Sequence, residues 1–342
     1  MPSGQDLRDR DDGARDDGAR ATGAGLGFAV LSAAAFGLSG PLAKALFESG
    51  WSSGAAVSVR IMGAAVVLLP PALMALRGRW YLVRQNAGLI LAYGAIAIAA
   101  CQLFYFNAVT SLSVGVALLL EYLGPVLVVA WLWARHGQRP RRLTVLGIVL
   151  SIGGLVLILD VTGGMRVDLV GVLWALGAAC GLAFYFVLSG RRATGLPPLV
   201  MAAGGMVVAS VILLAAGVAG LLPITATAQD VVLAGMTMPW LAPVLGLCLL
   251  AAALAYATGI AATRRLGAKL ASFVGLAEVM FTLAFAWLLV GDVPLGIQFV
   301  GGALIVAGVL SVRYDELVAD RPVRGALSSA AGRRPARSWL RP

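Results

Sequence analysis

Residues 143–158 read LTVLGIVLSIGGLVLI and residues 297–312 read IQFVGGALIVAGVLSV. Neither stretch carries a charge, and Gly147 and Gly154 of the first fall on Gly301 and Gly308 of the second at an offset of 154. The same offset holds over 107–158 against 261–312, where Leu112 meets Leu266, Trp133 meets Trp287 and Gly137 meets Gly291. Nearer the N-terminus the offset is 144, with Gly27 on Gly171, Ala34 on Ala178, Ala35 on Ala179 and Gly37 on Gly181. The ten-residue difference is absorbed near 220–239. The chain is therefore read as two copies of one unit.

Composition says what solvent the unit meets. Of 342 residues, 60% are hydrophobic and 12% charged, against about 45–50% and 25% in a soluble domain. Such a surface belongs in lipid. Helices are the expected spanning element, because backbone groups in hydrocarbon must be satisfied within the segment and no alternating barrel pattern is present. Ten spans are predicted: 23–46, 54–76, 87–107, 112–134, 143–160, 168–189, 197–219, 240–262, 268–290 and 294–313. The fold class is an all-α integral membrane protein. Residues 1–22, with Asp-Asp-Gly-Ala-Arg repeated at 11–15 and 16–20, and the basic segment 314–342 are polar tails, the first expected to be disordered.

Charge placement tests that count. With the N-terminus in the cytoplasm, 23 of the 26 basic residues fall in inside segments, leaving Lys44, Arg60 and Arg166. Glu48, Asp160, Asp168, Asp230 and Asp292 fall outside. This alternation follows the positive-inside rule and implies a plasma-membrane protein with both termini cytoplasmic. The net charge of +10 is thereby a topology signal, and no nucleic acid is expected as a partner. Each repeat (23–160 and 168–313) holds five spans, an odd number, so the second lies inverted relative to the first. Inverted repeats with a site at their midplane interface are typical of secondary transporters.

Three stretches carry a family resemblance: Ser-Gly-Pro-Leu-Ala-Lys-Ala-Leu-Phe at 39–47 with Arg60 after it; Phe104-Tyr-Phe-Asn-Ala-Val leading to Gly115-Val-Ala-Leu-Leu-Leu-Glu-Tyr-Leu-Gly-Pro125; and Leu276-Ala-Glu-Val followed by Gly291-Asp292 and Gly301-Gly302. They resemble the EamA-like ten-helix members of the drug/metabolite transporter superfamily. The first two are closest to its threonine/homoserine exporter branch. The resemblance implies export of small metabolites, amino acids such as threonine or homoserine among them. Where that family often has Glu-Pro, this chain has Glu278-Val279, so a softer kink is expected in the second half.

Four charges lie within spans: Lys44, Arg60, Glu121 and Glu278. A charge at a helix centre costs about 3 kcal/mol on insertion scales, so it normally faces the bundle interior or a wet cavity. Glu121 lies ~13 Å into its helix at 1.5 Å per residue and is the expected centre of proton exchange or ammonium binding. Arg60 or Lys44 could hold a substrate carboxylate. Against this stand blander readings: an Arg60–Glu121 structural ion pair, Lys44 snorkelling to the interface, and Glu278 bonded to a neighbouring helix. Gln102, Tyr105, Tyr122, Tyr185 and Tyr256 complete the candidate set, Gln102 and Tyr256 matching at the 154 offset. Gly40-Pro41 and Gly124-Pro125 are candidate helix breaks. Trp51 and Trp240, at helix ends, read as interface anchors.

No phosphate-binding loop, His-Glu-x-x-His or Gly-x-Ser-x-Gly occurs, and His136 is the single histidine. No metal or cofactor and no enzymatic activity are expected. The partners expected are a small-molecule substrate, the bilayer and protons, in a monomer or homodimer. A membrane-embedded enzyme or a lipid-handling protein is the alternative.

Overall fold

The computed structural model describes residues 23–124, 141–158, 168–189, 195–266, 271, 274–292 and 296–319. Among the described residues the longer helices are α1 Gly23–Glu48, α2 Ser53–Ala75, α3 Ala87–Ser111, α4 Val114–Glu121, α5 Arg142–Ile158, α6 Leu169–Ser189, α7 Pro198–Val218, α8 Leu241–Leu266, α9 Ala277–Val290 and α10 Gly296–Ala319, with one short helix, Tyr81–Gln85, between α2 and α3. Among the described residues, α1, α2, α3, α6, α7 and α8 are long and apolar enough to cross a membrane, and shorter apolar helices lie within α5, α9 and α10. The chain is a multi-pass membrane protein. The predicted span 112–134 is described only as far as Gly124. Pro125, Trp133, His136, Gly137, Asp160 and both polar tails through 22 and from 320 lie outside the described residues.

Local chemistry starts and stops these helices. Ser52 and Ser113 cap α2 and α4, their hydroxyls accepting from the N–H groups of Ala55 (3.2 Å) and Val116 (3.4 Å). The α1 break falls at Leu38, before Gly40-Pro41, and helix resumes at Ser39. The proline ring clashes with the carbonyl four residues earlier, that of Gly37, so the distortion appears a turn upstream of the proline. In α4 the break likewise comes at Tyr122–Leu123, ahead of Gly124. Without a proline, the chain still turns at Leu276, the Val279 N–H donating to the Leu276 carbonyl at 3.1 Å.

Two features were not foreseen. Tyr93–Ala100 within α3 and Gly246–Leu254 within α8 are wound as π-helix. The offset of 154 maps the first onto 247–254. Such wide turns are rare and cluster at functional sites. The segment 220–239 contains a hairpin, β1 Val231–Leu233 against β2 Met236–Met238. Its two turn residues, Ala234 and Gly235, both have positive φ, and the Ala234 N–H is anchored on the Leu289 carbonyl at 2.7 Å.

The packing exchanges partners between the halves. α2 lies against α7 and the wide segment of α8, while α7 lies against the wide segment of α3. α1 packs on α9, and α6 packs on α4. α5 and α10 pair with each other. Bare backbone makes these approaches close. A Cβ at Gly37 would meet Phe281 of α9 at 2.9 Å, and one at Gly181 would meet Cys101 of α3 at 2.4 Å.

Candidate functional site

A cavity with roughly 700 Å³ of open space, its mouth included, lies where α1, α2, α3, α6, α8 and the α4 and α9 breaks converge. Its wall carries Arg60, Gln102, Tyr105, Glu121, Tyr122, Tyr185, Tyr256 and Glu278. Of the side chains proposed from sequence as binding groups, Lys44 alone is missing from this wall. Gly40 does not line it either; a Cβ there would meet Val114 and Tyr105 within 2.4 Å, so its role is close contact.

Arg60 is fully buried on α2. It donates to the Gln102 side-chain oxygen and to the Ala251 carbonyl, and its guanidinium lies 5.5 Å from the centre of the Phe106 ring. The Ala251 carbonyl belongs to the π-wound stretch of α8. Gln102 in turn donates to the Tyr256 hydroxyl at 3.2 Å. No ion pair joins Arg60 to Glu121 among the described residues, so the structural-pair reading of these two does not hold.

Glu121, 5% exposed, ends α4. Its Oε1 accepts from the Cys101 thiol at 3.4 Å, and the same sulfur lies 3.5 Å from the Ala178 carbonyl. The Tyr122 hydroxyl stands 2.7 Å from the Gly275 carbonyl and 3.0 Å from Glu278 Oε2. A hydroxyl has one proton, so these two acceptors share a single donor. Glu278 itself is half-buried.

The apolar wall is aromatic. Phe36, Tyr185 and Tyr256 pack edge-to-face on one another at 4.9–6.4 Å between centroids, and Phe186 lies 5.0 Å from Tyr185. Sequence reading missed Phe36, Ser32, Cys101 and Phe186. A signal existed on α1, where Ala29, Ser32, Ala33 and Phe36 share one face at 3–4-residue spacing, and Cys101 adjoins Gln102. The three cavity charges also have no symmetric copies. Under the 144 and 154 offsets Arg60, Glu121 and Glu278 fall on Gly204, Gly275 and Gly124.

The cavity extends toward the end of the bundle where α1 begins and α8 ends, marked by Ala29, Thr263 and Ala271 in its wall. Toward the opposite end the described lining stops near Ser39 and Tyr105. There Lys44 pairs with Asp292 at 3.2 Å, and the same Asp292 oxygen accepts from the Val114 N–H at 3.1 Å. Trp51 is buried rather than an interface anchor: it stacks 5.8 Å from Trp240 and donates to the Thr227 carbonyl at 2.9 Å.

The EamA-like transporter family profile matches residues 23–160 and again 169–314. The chain belongs to the EamA-like transporter family. This EamA-like chain is 28% identical over 133 residues to the uncharacterized transporter YwfM of Bacillus subtilis (strain 168), a match covering 38% of this chain and 45% of that protein. The chain thus spans less than half the length of the curated relative it matches. A protein of known crystal structure shares its fold with a TM-score of 0.57 at 21% identity, over 89% of this chain and 98% of the other. Membership of a transporter family points to transport and away from an enzyme.

Proposed function

We propose that this EamA-like chain is a secondary transporter of ten transmembrane helices, built as two inverted five-helix repeats at residues 23–160 and 168–313. Both termini lie in the cytoplasm and the bilayer is the plasma membrane. It exports small metabolites in exchange for protons, with amino acids such as threonine and homoserine as the cargo that the branch resemblance suggests. The observation that carries this reading is one cavity holding Arg60, Glu121 and Glu278, with the Lys44–Asp292 ion pair joining the two halves beyond it.

The repeat reading is supported by the exchanged packing and by the wide turns of α3 and α8 at equivalent positions. Alternating access then consists of one half rocking against the other, opening the Lys44–Asp292 end as the end beside Thr263 closes. The basic segments place the open end in the cytoplasm. Glu121 and Glu278, one from each half, are the groups able to carry a proton in exchange for cargo.

The test is efflux of a labelled metabolite panel from cells with and without the protein, repeated with Glu121→Gln. Efflux of at least one solute that needs the protein and Glu121 is expected. No protein-dependent flux across the panel would overturn the transport reading. Reporter fusions at residues 50, 110, 164, 230 and 292 are expected to report the exterior and those at 80, 138, 193 and 266 the cytoplasm; two or more clear reversals would overturn the topology.

A further inference from the structure

At the α4 and α9 breaks the hydrogen-bond acceptors outnumber the donors bonded to them. Glu121 and Glu278 bring four carboxylate oxygens, and the Gly275 carbonyl adds a fifth acceptor. Bonded to them are the weakly donating Cys101 thiol, already divided between Glu121 and the Ala178 carbonyl, and the one Tyr122 proton divided between Gly275 and Glu278; among the described residues no bond joins them to the wall hydroxyls of Ser39, Tyr105, Tyr185 and Tyr256. Arg60 does not redress the balance. Its terminal nitrogens each give one bond, to Gln102 and Ala251, none of its N–H groups bonds Glu121 or Glu278 among the described residues, and the whole side chain, including the Nε–H that finds no partner, is enclosed. Of the three charged side chains in the wall, Arg60 and Glu121 are buried and Glu278 is half-buried. The aromatic cluster adds ring faces, which attract cations and disfavour anions.

We propose that this site recognises an ammonium group carried on an apolar or aromatic body, and that a carboxylate on the substrate is dispensable. The inference rests on the transport reading above and names its substrate class. The ammonium sits against Glu278 and the Gly275 carbonyl, supplying the donors that Tyr122 cannot. The body lies against Phe36, Tyr185 and Phe186. A substrate carboxylate would meet two acidic side chains and no exposed cation.

Three probes with one body separate the charges: phenethylamine, phenylalanine and 3-phenylpropionate. Binding to the purified full-length protein in detergent is measured by calorimetry, which avoids leakage of the amine across vesicles. Phenethylamine is expected to bind about tenfold or more tighter than 3-phenylpropionate, the scale of one charge-assisted contact. Phenylalanine is expected to bind no tighter than phenethylamine. Glu278→Gln is expected to weaken phenethylamine by about tenfold. If that variant does not fold, Gly275→Ala serves. Its Cβ would stand 3.4 Å from Phe186 and 3.8 Å from the Tyr122 hydroxyl, ordinary contacts that fill the ammonium position, and it should weaken the amine severalfold. Equal binding of the anion, a required carboxylate, binding of none of the three, or wild-type amine affinity in both variants would overturn the ammonium assignment. A required carboxylate would give the free Arg60 Nε–H its partner. If the bound amine gives no protein-dependent flux in proteoliposomes while other solutes do, the substrate class fails and the transport reading stands. If it binds through Glu278 and no solute moves, the transport reading fails and the site stands.

Discussion

The side-chain amide of Gln102 donates a 3.2 Å hydrogen bond to the hydroxyl of Tyr256, its counterpart 154 positions along the chain. Two residues equivalent by repeat thus meet directly, each just beyond the wide-turned segment of its own helix. In the inverted-repeat reading the pseudo-twofold axis passes close to this bond. Gln102 also accepts from Arg60, so the contact between halves and the buried cation form one network.

Removing the Tyr256 hydroxyl tests that network. Tyr256→Phe and Gln102→Leu each lose a buried bond, and a double-mutant cycle on thermal stability in detergent should return a coupling of about 0.5–1.5 kcal/mol. A coupling near zero would mean the bond contributes nothing to joining the halves.

Arg60→Gln should destabilise the protein by about 2 kcal/mol or more, because it strips donors from Gln102 and the Ala251 carbonyl in a buried site. Arg60→Lys should not restore stability, since one ammonium lacks the planar fork that reaches both oxygens. Because Arg60 does not contact Glu121, the double variant Arg60→Gln/Glu121→Gln should be no more stable than Arg60→Gln. Recovery in that double variant would revive the ion-pair reading.

Glu121→Gln should reach the membrane in normal amount, since its neighbour is a weak thiol donor at 3.4 Å rather than a cation. It should nonetheless lose transport. Any residual flux should no longer vary with pH between about 5.5 and 8, because the amide cannot exchange a proton. A wild-type pH profile in this variant would rule Glu121 out as the coupling group.

Lys44→Gln and Asp292→Asn each break the ion pair beyond the cavity. A cysteine placed at Ser39, in the cavity wall, should then react faster with an impermeant thiol reagent added outside. Exchanging the two residues should restore closure only in part, because Asp292 also accepts from the Val114 N–H and a lysine cannot. Unchanged labelling in all variants would show that this pair does not control access.

Gly181→Ala should lower thermal stability by about 1–3 kcal/mol through overpacking, because its Cβ would lie 2.4 Å from Cys101 Cβ. Cys101→Gly should relieve it only in part, because the Cα of residue 101 would still stand 2.9 Å away, and Cys101→Ala, which keeps the Cβ, should relieve it less.

The apolar helices, the two related halves and the burial of Glu121 were all legible in the residue string. Each depends on local quantities: apolar run length, spacing at a fixed offset, and the cost of a charge within an apolar run. The candidate site was legible as residue types, since an acid, a glutamine or a tyrosine inside such a run needs a partner. Which partner each one finds depends on helix rotation and on contacts far apart in sequence. Only tertiary structure decided that Arg60 turns to Gln102 and Ala251 rather than Glu121, and that Lys44 pairs with Asp292. It also brought Phe36 of α1 onto Tyr185 of α6 and Tyr256 of α8. The α4 break follows from a proline visible in sequence, while the matching break at Leu276 occurs with no proline. There Val279 takes the nearer carbonyl and Tyr122, from the other half, takes that of Gly275, a backbone bend held by a side chain 153 residues away.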